Sequence, residues 1–207
     1  MPSVKVKIAE DGEILLQGPT IFDSYYKDEK ATSAAFTDGW FHTGDIGTVD
    51  DEGFLTITDR KKDLIVNASG KNIAPQRIES ILKTIPGISQ AVVFGDKRKH
   101  LVALVTVDHQ GINEVIHGKG WHFKNFDELM DSPKLRQYIK EEINSRSKQL
   151  ADYEYVRNFA ILPDDLSVES GELTATLKVK RNIVAKKFTK LIDSLYREEE
   201  SPVKANA

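Results

Sequence analysis

The stretches GWFHTGD, Gly39 to Asp45, and DRKKDLIVNASGKNIAPQRIE, Asp59 to Glu79, decide the fold of this chain. Before Asp59 the pattern is mostly that of β-strands, and after it helix patterns join the strands, which predicts two parts and an α+β fold class. In the first stretch, Thr-Gly-Asp predicts a tight turn that carries Asp45. A carboxylate held there can accept hydrogen bonds from two vicinal hydroxyls, as acidic residues do when they bind ribose. The alternative is a β-turn that Asp45 caps.

The second stretch holds two features that suit a phosphorylated ligand. Arg60 offers a planar fork for phosphate or ribose oxygens. The turn from Asn67 to Lys71 contains Gly70, a position where backbone can approach a ligand closely. Taken singly, a basic strand end and a loop glycine are ordinary surface features.

A third stretch, SGELTATLKVKRN, runs from Ser170 to Asn182. A lysine just before a helix, in a loop rich in small and hydroxyl residues, can bring its ammonium onto a carboxylate and a phosphate. The alternative is that Lys178, Lys180 and Arg181 begin a solvated helix face. Such a basic run opposes the helix dipole, a local conflict that is more common at functional sites.

Apolar periodicity predicts the elements along the chain. They are a hairpin over 4–18 turning at Asp11-Gly12, helix towards the end of 23–36, a turn-rich stretch over 39–47, a hairpin across 50–53, a short strand at 64–66, a helix opened by Pro75 and stopped by Pro86-Gly87, strands at 90–94 and 101–107, a less regular region to Asp131, a helix over 133–150, a strand at 156–162, and a last helix from about Val179.

Composition excludes several classes of protein. The 207 residues carry a formal charge of -3, which argues against a dedicated nucleic-acid binder. The absence of cysteine excludes disulfides and thiolate metal sites and favours a reducing cytoplasm. The histidines have no acidic partners at ligand spacing, so no metal site is expected, and His42 is interpreted as a hydrogen-bonded structural group.

Membrane insertion is not predicted. The first twenty residues lack the continuous apolar stretch of a signal peptide, and the longest strongly apolar run, Leu101 to Val107, is too short to span a bilayer. The aromatic residues Trp121, Phe123 and Phe126 offer either an apolar surface or local packing under a loop, of which packing is preferred. Any membrane contact is therefore expected to be peripheral.

The three motifs together resemble those of adenylate-forming enzymes, the superfamily of acyl-CoA synthetases, luciferases and peptide-synthetase adenylation domains. The likeness is greatest to bacterial long-chain fatty acid CoA ligases, because of Leu101 to Asp108, the aromatic insertion at Trp121 to Phe126, and the run from Glu172 to Arg181. It implies a β-rich piece of the large domain over 1–61 and a mobile α+β carboxyl-terminal domain over 62–197. A disordered tail is expected over 198–207.

The resemblance implies a role for five residues. Asp45 corresponds to the aspartate that binds the ribose hydroxyls of ATP, and Arg60 to an arginine that contacts the nucleotide. Lys62 falls at the hinge about which the small domain turns between two poses. Gly70 corresponds to the glycine that lines the CoA pantetheine passage, and Lys178 to the catalytic lysine of adenylation.

Two departures from the family pattern concern these assignments. Thr176-Leu177-Lys178 stands where many members have Ser-Gly-Lys, as in the long-chain subgroup. The stretch from Lys62 to Gly70 is one residue longer than in short-chain members. Lys180 is the alternative to Lys178, and only alignment with the motif favours the latter.

The implied parent enzyme couples a fatty acid to ATP, releases pyrophosphate, and then transfers the acyl group from AMP to CoA. The chain has no phosphate loop, which the family places upstream together with its Mg²⁺ site, so this fragment alone is predicted to be inactive. The expected location is the cytoplasm, with any peripheral contact at the inner membrane surface. Two alternatives are another branch such as an aryl-CoA ligase, and a stand-alone non-catalytic module that binds nucleotide or CoA.

Overall fold

The computed structural model describes residues 3–197, and the tail predicted over 198–207 lies outside the described residues. The chain is α+β, as predicted, and it divides between Leu64 and Ile65 into two compact units. No helix within residues 3–197 combines the length and the apolar character that a membrane span requires.

The first unit is built on an antiparallel sheet with one short helix beside it. Strand β4 is central, because it pairs with β2, β3 and β5, while β1 extends the sheet from β2. The elements are β1 (Lys5–Ile8), β2 (Glu13–Gln17), α1 (Glu29–Ala35), β3 (Phe36–Thr37), β4 (Trp40–Val49) and β5 (Leu55–Arg60).

Both predicted hairpins of this unit are confirmed. Strands β1 and β2 meet through Asp11 and Gly12, where Gly12 adopts a φ of +86° that favours glycine. Strands β4 and β5 meet through a turn in which the Asp50 carboxylate accepts the amides of Glu52 at 3.0 Å and Phe54 at 2.8 Å. Asp50 thereby replaces backbone partners that the turn lacks.

The prediction of a turn-rich stretch over 39–47 holds for Gly39, which lies in a turn, and is wrong from Trp40 onwards. Strand β4 runs without interruption through Thr43, Gly44 and Asp45, so Asp45 lies on a strand and not on a tight turn. The glycine that suggested a turn instead produces an irregularity within the strand, with a φ of +71° and a shift in register against β2. Pairing with β2 on one side, and with β3 and then β5 on the other, keeps the backbone of β4 extended before and after this irregularity.

The second unit centres on a three-stranded sheet of order β10-β9-β8, with helices on both faces. Strand β8 is antiparallel and β10 is parallel to β9. The elements are β6 (Ile65–Val66), β7 (Asn72–Ile73), α2 (Pro75–Leu82), β8 (Ile88–Phe94), β9 (Leu101–Val107), α3 (His109–Gly118), α4 (Phe126–Met130), α5 (Pro133–Ser147), β10 (Val156–Ile161), α6 (Arg181–Lys187) and α7 (Thr189–Arg197).

All seven residues of β9 are buried, because the strand serves two hydrophobic cores. Leu101, Ala103 and Val105 face the core closed by α2 to α5, and Val102 and Leu104 face the core closed by α6 and α7. This alternation follows the two-residue period of a strand. A strand covered on both faces explains why the sequence shows one continuous apolar run.

The region between β9 and Asp131, predicted to be less regular, holds the two helices α3 and α4. The sequence of α3 has two glycines and several β-branched residues, which lower helix propensity. Two features override it: the Asp108 carboxylate caps the amides of Gln110 and Gly111, and Ile112 is buried in the core. The aromatics of this region pack against the same core, which confirms local packing.

The single last helix predicted from Val179 is two helices, α6 and α7, separated at Phe188. Phe188 has a non-helical backbone conformation, with a φ of -109°, and the side-chain hydroxyl of Thr189 donates to the carbonyl oxygens of Ala185 and Lys186 beside it. The first of the two helices begins at Arg181, two residues later than predicted.

Candidate functional site

Asp45 and Arg60 face each other across β4 and β5, and Asp45 Oδ1 lies 3.1 Å from Arg60 Nε. If the strand pairing that begins at the hairpin turn continued without a bulge, Asp45 would lie opposite Asp59. One extra residue in β5, Thr58, shifts the register and places Arg60 there instead. Because the contact uses Nε, the two terminal nitrogens of the guanidinium are not engaged by it. Both side chains reach solvent, with 27% of Asp45 and 60% of Arg60 exposed.

Side chains, rather than strand partners, satisfy the backbone beside Asp45. The amide of Gly44 donates to Glu13 Oε1 at 2.9 Å, and the amide of Asp45 donates to Thr43 Oγ1 at 3.1 Å. The Thr43 hydroxyl in turn donates to the carbonyl of Ile14 at 2.7 Å. The irregularity in β4 is therefore a bonded structure with a fixed geometry.

Glu13 is the centre of a cluster of ionisable groups, and only 2% of it is exposed. Its Oε2 lies 2.8 Å from His42 Nδ1 and 2.8 Å from Lys61 Nζ. Lys61 Nζ is also 2.7 Å from Asp11 Oδ2, and His42 Nε2 is 3.1 Å from Thr37 Oγ1. These contacts confirm His42 as a hydrogen-bonded structural group.

The cluster shifts the pKa of three members. Burial alone would raise the pKa of Glu13, but hydrogen bonds from Lys61, His42 and the Gly44 amide outweigh it, so this pKa is lowered. The bond from Lys61 lowers the pKa of Asp11, and the two carboxylates together raise the pKa of Lys61. Both carboxylates and the ammonium are therefore charged at neutral pH.

Lys62 lies in a single 3-10 turn, Lys61–Asp63, that directly follows β5. The turn is closed by the amide of Leu64, which donates to the carbonyl of Lys61 at 3.4 Å. Lys62 itself is exposed, and the boundary between the two units follows two residues later.

Gly70 lies in the turn that joins β6 to β7. The buried Asn67 organises this turn, because its side-chain oxygen accepts the amides of Ser69 at 3.0 Å and Lys71 at 2.9 Å. Gly70 has a φ of +75°, and a Cβ built there would meet nothing within 4 Å. Backbone conformation, not crowding, therefore demands the glycine, and the turn is open to an approaching molecule.

Lys178 stands on a small hairpin in which Leu173 bridges to Val179. Thr174 holds it closed: its amide donates to the Lys178 carbonyl at 2.8 Å, and its hydroxyl accepts the Lys178 amide at 3.0 Å. Leu177 completes the tip with a φ of +58°, a conformation unusual for a branched side chain. The hairpin fixes the backbone of Lys178 and leaves its side chain exposed.

Glu172 anchors one side of this lysine hairpin, residues 173–179, although only 2% of it is exposed. Its carboxylate accepts from Lys187, Ser170 and the amide of Ser167, while its carbonyl accepts the amide of Lys180 at 2.7 Å. Burial would raise the pKa of Glu172, but these donors outweigh it and the pKa is lowered.

Arg181 anchors the other side. Its terminal nitrogens contact both oxygens of Glu79, and Nη1 also donates to the carbonyl of Val93 at 2.9 Å. The sequence motifs indicate no anchoring role for Glu79, Glu172 or Glu13. A carboxylate at an otherwise core-facing position, as Glu79 is beside Ile78 in α2, is the signal that could have revealed such anchors.

The structure thus brings Asp45 and Arg60 together, and Lys62 follows Arg60 by two residues in the chain. Gly70 and Lys178 lie on two separate hairpins of the second unit. Among residues 3–197, no group of three or more histidine or acidic residues could hold a metal ion. The described part of the chain therefore offers no set of ligands that fits Mg²⁺.

Comparison with known proteins supplies the family. A family model described as the AMP-binding enzyme C-terminal domain matches residues 62–200. The chain belongs to this family. Lys62, Gly70 and Lys178 lie within the matched residues of the AMP-binding C-terminal domain, whereas Asp45 and Arg60 precede it.

This chain has curated relatives whose matches extend over both units. It is 43% identical over 206 residues to the long-chain-fatty-acid–CoA ligase FadD15 of Mycobacterium tuberculosis, a match that covers 96% of this chain and 33% of that ligase. It is 36% identical over 191 residues to the peroxisomal long chain acyl-CoA synthetase 7 of Arabidopsis thaliana, covering 90% of this chain and 27% of that protein. The chain therefore spans about a third of the length of these relatives.

Solved structures confirm the α+β fold of this chain. The adenylation domain of the carboxylate reductase of Mycobacterium chelonae aligns with a TM-score of 0.69 at 24% identity, covering 94% of this chain and 31% of that one. The O-succinylbenzoate CoA synthetase of Bacillus subtilis, solved with AMP, aligns with a TM-score of 0.55 at 32% identity. That match covers 87% of this chain and 33% of the synthetase.

Proposed function

We propose that this chain is the carboxyl-terminal part of a long-chain fatty acid CoA ligase, which makes acyl-CoA from a fatty acid, ATP and CoA. The observation that carries the proposal is the 43% identity to a long-chain ligase over 96% of the chain, because it spans both units. At the β4–β5 hairpin, 65% of Phe54 and 62% of Ile57 are exposed. This apolar surface supports the proposal, because other parts of a longer enzyme would cover it.

In the first half-reaction a carboxylate oxygen of the fatty acid attacks the α-phosphorus of ATP, and the bond to pyrophosphate breaks. The Asp45 carboxylate accepts the ribose hydroxyls, and its contact with Arg60 Nε holds it in one orientation. The terminal nitrogens of Arg60 donate to nucleotide oxygens. These two residues position the nucleotide and take no part in proton transfer.

Lys178 is the catalytic residue of this step. Its ammonium bridges the fatty acid carboxylate and the α-phosphate, where negative charge develops in the transition state. The closed hairpin supports the role, since it fixes the backbone of Lys178 and leaves the long side chain to reach the reacting atoms. When bound in another part of the enzyme, Mg²⁺ neutralises charge on the ATP phosphates.

In the second half-reaction the CoA thiol sulfur bonds to the acyl carbon, the thiol proton passes to solvent, and the bond from the acyl carbon to the phosphate oxygen breaks as AMP leaves. The exposed turn at Gly70 accommodates the pantetheine arm, since no side chain stands there. Lys62 is the hinge whose torsions turn the small domain from the adenylating to the thioester-forming pose. The proposed division is therefore 1–61 and 62–197, close to the boundary between the two units.

A second candidate function is an aryl-CoA ligase, favoured by the 32% identity to the O-succinylbenzoate CoA synthetase. The two candidates share every role assigned above and differ only in the acid that is activated. A panel of long-chain and aromatic acids offered to the full-length protein that carries this chain distinguishes them. Turnover of aromatic acids alone would overturn the long-chain proposal.

The role of the chain itself is tested by a replacement. In the Mycobacterium tuberculosis ligase, the third that matches this chain is replaced by this chain. Acid-dependent ATP–pyrophosphate exchange and acyl-CoA formation by the hybrid are then measured. The hybrid should carry out both reactions, while the chain alone should carry out neither. Pyrophosphate exchange by the purified chain alone would contradict the proposal.

A further inference from the structure

One buried carboxylate joins the segment that carries Asp45 to the segment that carries Lys62. Glu13 accepts the Gly44 amide on Oε1 and the Lys61 ammonium on Oε2. We propose that Glu13 is a positioning residue that holds the nucleotide-binding aspartate and the hinge turn in register with each other. This inference rests on the proposed function.

Both oxygens of Glu13 are needed for this arrangement. Oε1 takes the Gly44 amide alone, while Oε2 takes His42 and Lys61 together. Only a carboxylate supplies two acceptor atoms, because an amide side chain has one oxygen and one nitrogen that donates. The single oxygen of a glutamine at this position accepts either from the Gly44 amide or from the Lys61 ammonium, and not from both.

The consequence for Asp45 follows from the irregularity in β4. At Gly44 the register of β4 against β2 shifts, and the Glu13 side chain supplies the acceptor for its amide. Without that acceptor the amide would be left unsatisfied and the local backbone would move to find water. Asp45 is the next residue, so its carboxylate would move too, and displacements of about 1 Å at a positioning group are costly for catalysis.

The consequence for the hinge comes through Lys61, the residue before Lys62. Its ammonium is held by Glu13 at 2.8 Å and by Asp11 at 2.7 Å, both on the β1–β2 hairpin. The first residue of the 3-10 turn is therefore tied to the sheet by its side chain. Torsional change is confined to residues after Lys61, which makes Lys62 the first free position.

The surroundings of Glu13 show which charges maintain the cluster. A groove of about 580 Å³ opens beside it, and its ionisable lining residues are Lys7, Glu10, Asp11, Glu13, His42 and Lys61. Glu10 lines this groove on the same hairpin and is exposed, so Glu10→Gln is a matched control for Glu13→Gln. Both changes remove one negative charge from the groove.

The first test uses this chain and needs no activity. Amide hydrogen exchange is measured by NMR for β4 in the unaltered chain, in Glu13→Gln and in Glu10→Gln. We expect Glu13→Gln to speed exchange of the Gly44 amide about tenfold or more, because the Lys61 ammonium repels the glutamine NH2 and attracts its oxygen, which turns the NH2 towards Gly44. Other amides of β4, such as that of Gly47, which bonds to Gly12, should change less than about twofold.

The second test uses the full-length enzyme. Glu13→Gln should raise KM for ATP in the adenylation reaction about tenfold, with a smaller change in kcat, because the ribose contact is formed in both ground and transition states. The balance between the two half-reactions should also change, since the hinge turn loses an anchor. Glu10→Gln should leave both measurements as they are in the unaltered enzyme.

Three outcomes are informative. Equal acceleration of exchange throughout β4 would show that Glu13 merely stabilises the sheet, which overturns the proposal. Unchanged Gly44 exchange with unchanged KM for ATP would overturn it as well. If the unaltered full-length enzyme activates no acid with ATP, the proposed function fails, while selective Gly44 exchange would still support Glu13 as the residue that positions Asp45.

Discussion

The guanidinium of Arg181, at the first position of α6, contacts both carboxylate oxygens of Glu79 in α2. Glu79 also accepts the amide of Val93 at 2.8 Å, and Arg181 donates to the carbonyl of the same residue, so the pair ties α2 and α6 to β8. Glu79 is buried, and 22% of the Arg181 side chain is exposed. Because Lys178 lies three residues earlier, this pair fixes the end of the segment that carries it.

Arg181→Ala should therefore destabilise the second unit. It removes the guanidinium that contacts both oxygens of the buried Glu79 carboxylate, for which a loss of about 3 kcal/mol in the free energy of unfolding is expected. Urea denaturation of the chain, followed by circular dichroism, measures this loss. Arg157→Ala is the matched control: Arg157 is exposed and lies over the Tyr155 ring at 5.5 Å, so its loss should cost less than about 1 kcal/mol. Equal effects of the two changes would contradict the assigned role of the pair.

Glu172 should make the stability of the chain depend on pH. The pKa of Glu172 lies below its ordinary value of 4.5 in the folded protein, mainly because Lys187 and Ser170 donate to the buried carboxylate against the effect of burial. Its contribution is thus fully present above pH 4.5 and is lost as the pH falls through the lower folded pKa.

Glu172→Gln should accordingly lower the free energy of unfolding by about 2 kcal/mol at pH 7, with the difference from the unaltered chain shrinking at acidic pH. Urea denaturation at a series of pH values between neutral and strongly acidic checks this. Glu114→Gln, at an exposed position on α3, provides the control. A difference that stayed constant over the whole series would show that ionisation of Glu172 does not matter.

Lys178→Ala should cripple adenylation in the full-length enzyme and spare the second half-reaction. Loss of a charge that stabilises the transition state should lower the adenylation rate by about 10²- to 10³-fold. Thioester formation from supplied acyl-AMP should remain largely intact, because the lysine acts only in the first step. Single-turnover assays of each half-reaction measure both rates. Lys180→Ala is the control, and equal loss of both half-reactions in Lys178→Ala would refute the role.

Lys62→Pro should trap the enzyme in one domain pose. Proline fixes φ near -65°, a value that suits the 3-10 turn Lys61–Asp63, so the chain should still fold. One half-reaction should then fall at least about tenfold more than the other, as expected when a hinge cannot absorb its torsional change. Lys62→Ala keeps the backbone free and should retain both. Survival of both half-reactions in the proline variant would show that Lys62 is not the hinge.

Much of the fold could be predicted from local sequence patterns. The two hairpins of the first unit have turn residues that specify them, and β9 is a continuous apolar run as expected of a strand covered on both faces. Helix α3 could not be predicted in this way, because its formation depends on burial of Ile112 against distant residues and not on helix propensity.

The candidate site was only partly predictable for a similar reason. The residues that a ligand would touch, such as Asp45 and Lys178, lie in recognisable motifs. Several of the residues that hold the surrounding segments lie far away in the chain: Glu13 is 31 residues from Gly44, and Glu79 is 102 residues from Arg181. The extra residue Thr58, which sets Arg60 opposite Asp45, has no signature in composition or periodicity.

The central position of β9 has a consequence for aggregation. Seven uncharged, proline-free residues with strong strand propensity, Leu101–Val107, make up the kind of segment that pairs with copies of itself in amyloid. Both edges of β9 are occupied, by β8 and by β10, and charged residues lie just outside it at Lys99 and Asp108. Strand β10 comes about fifty residues later in the chain. Until it docks, one edge of β9 is open to intermolecular pairing, so the late arrival of β10 makes synthesis and refolding the stages at which this chain is most prone to self-association.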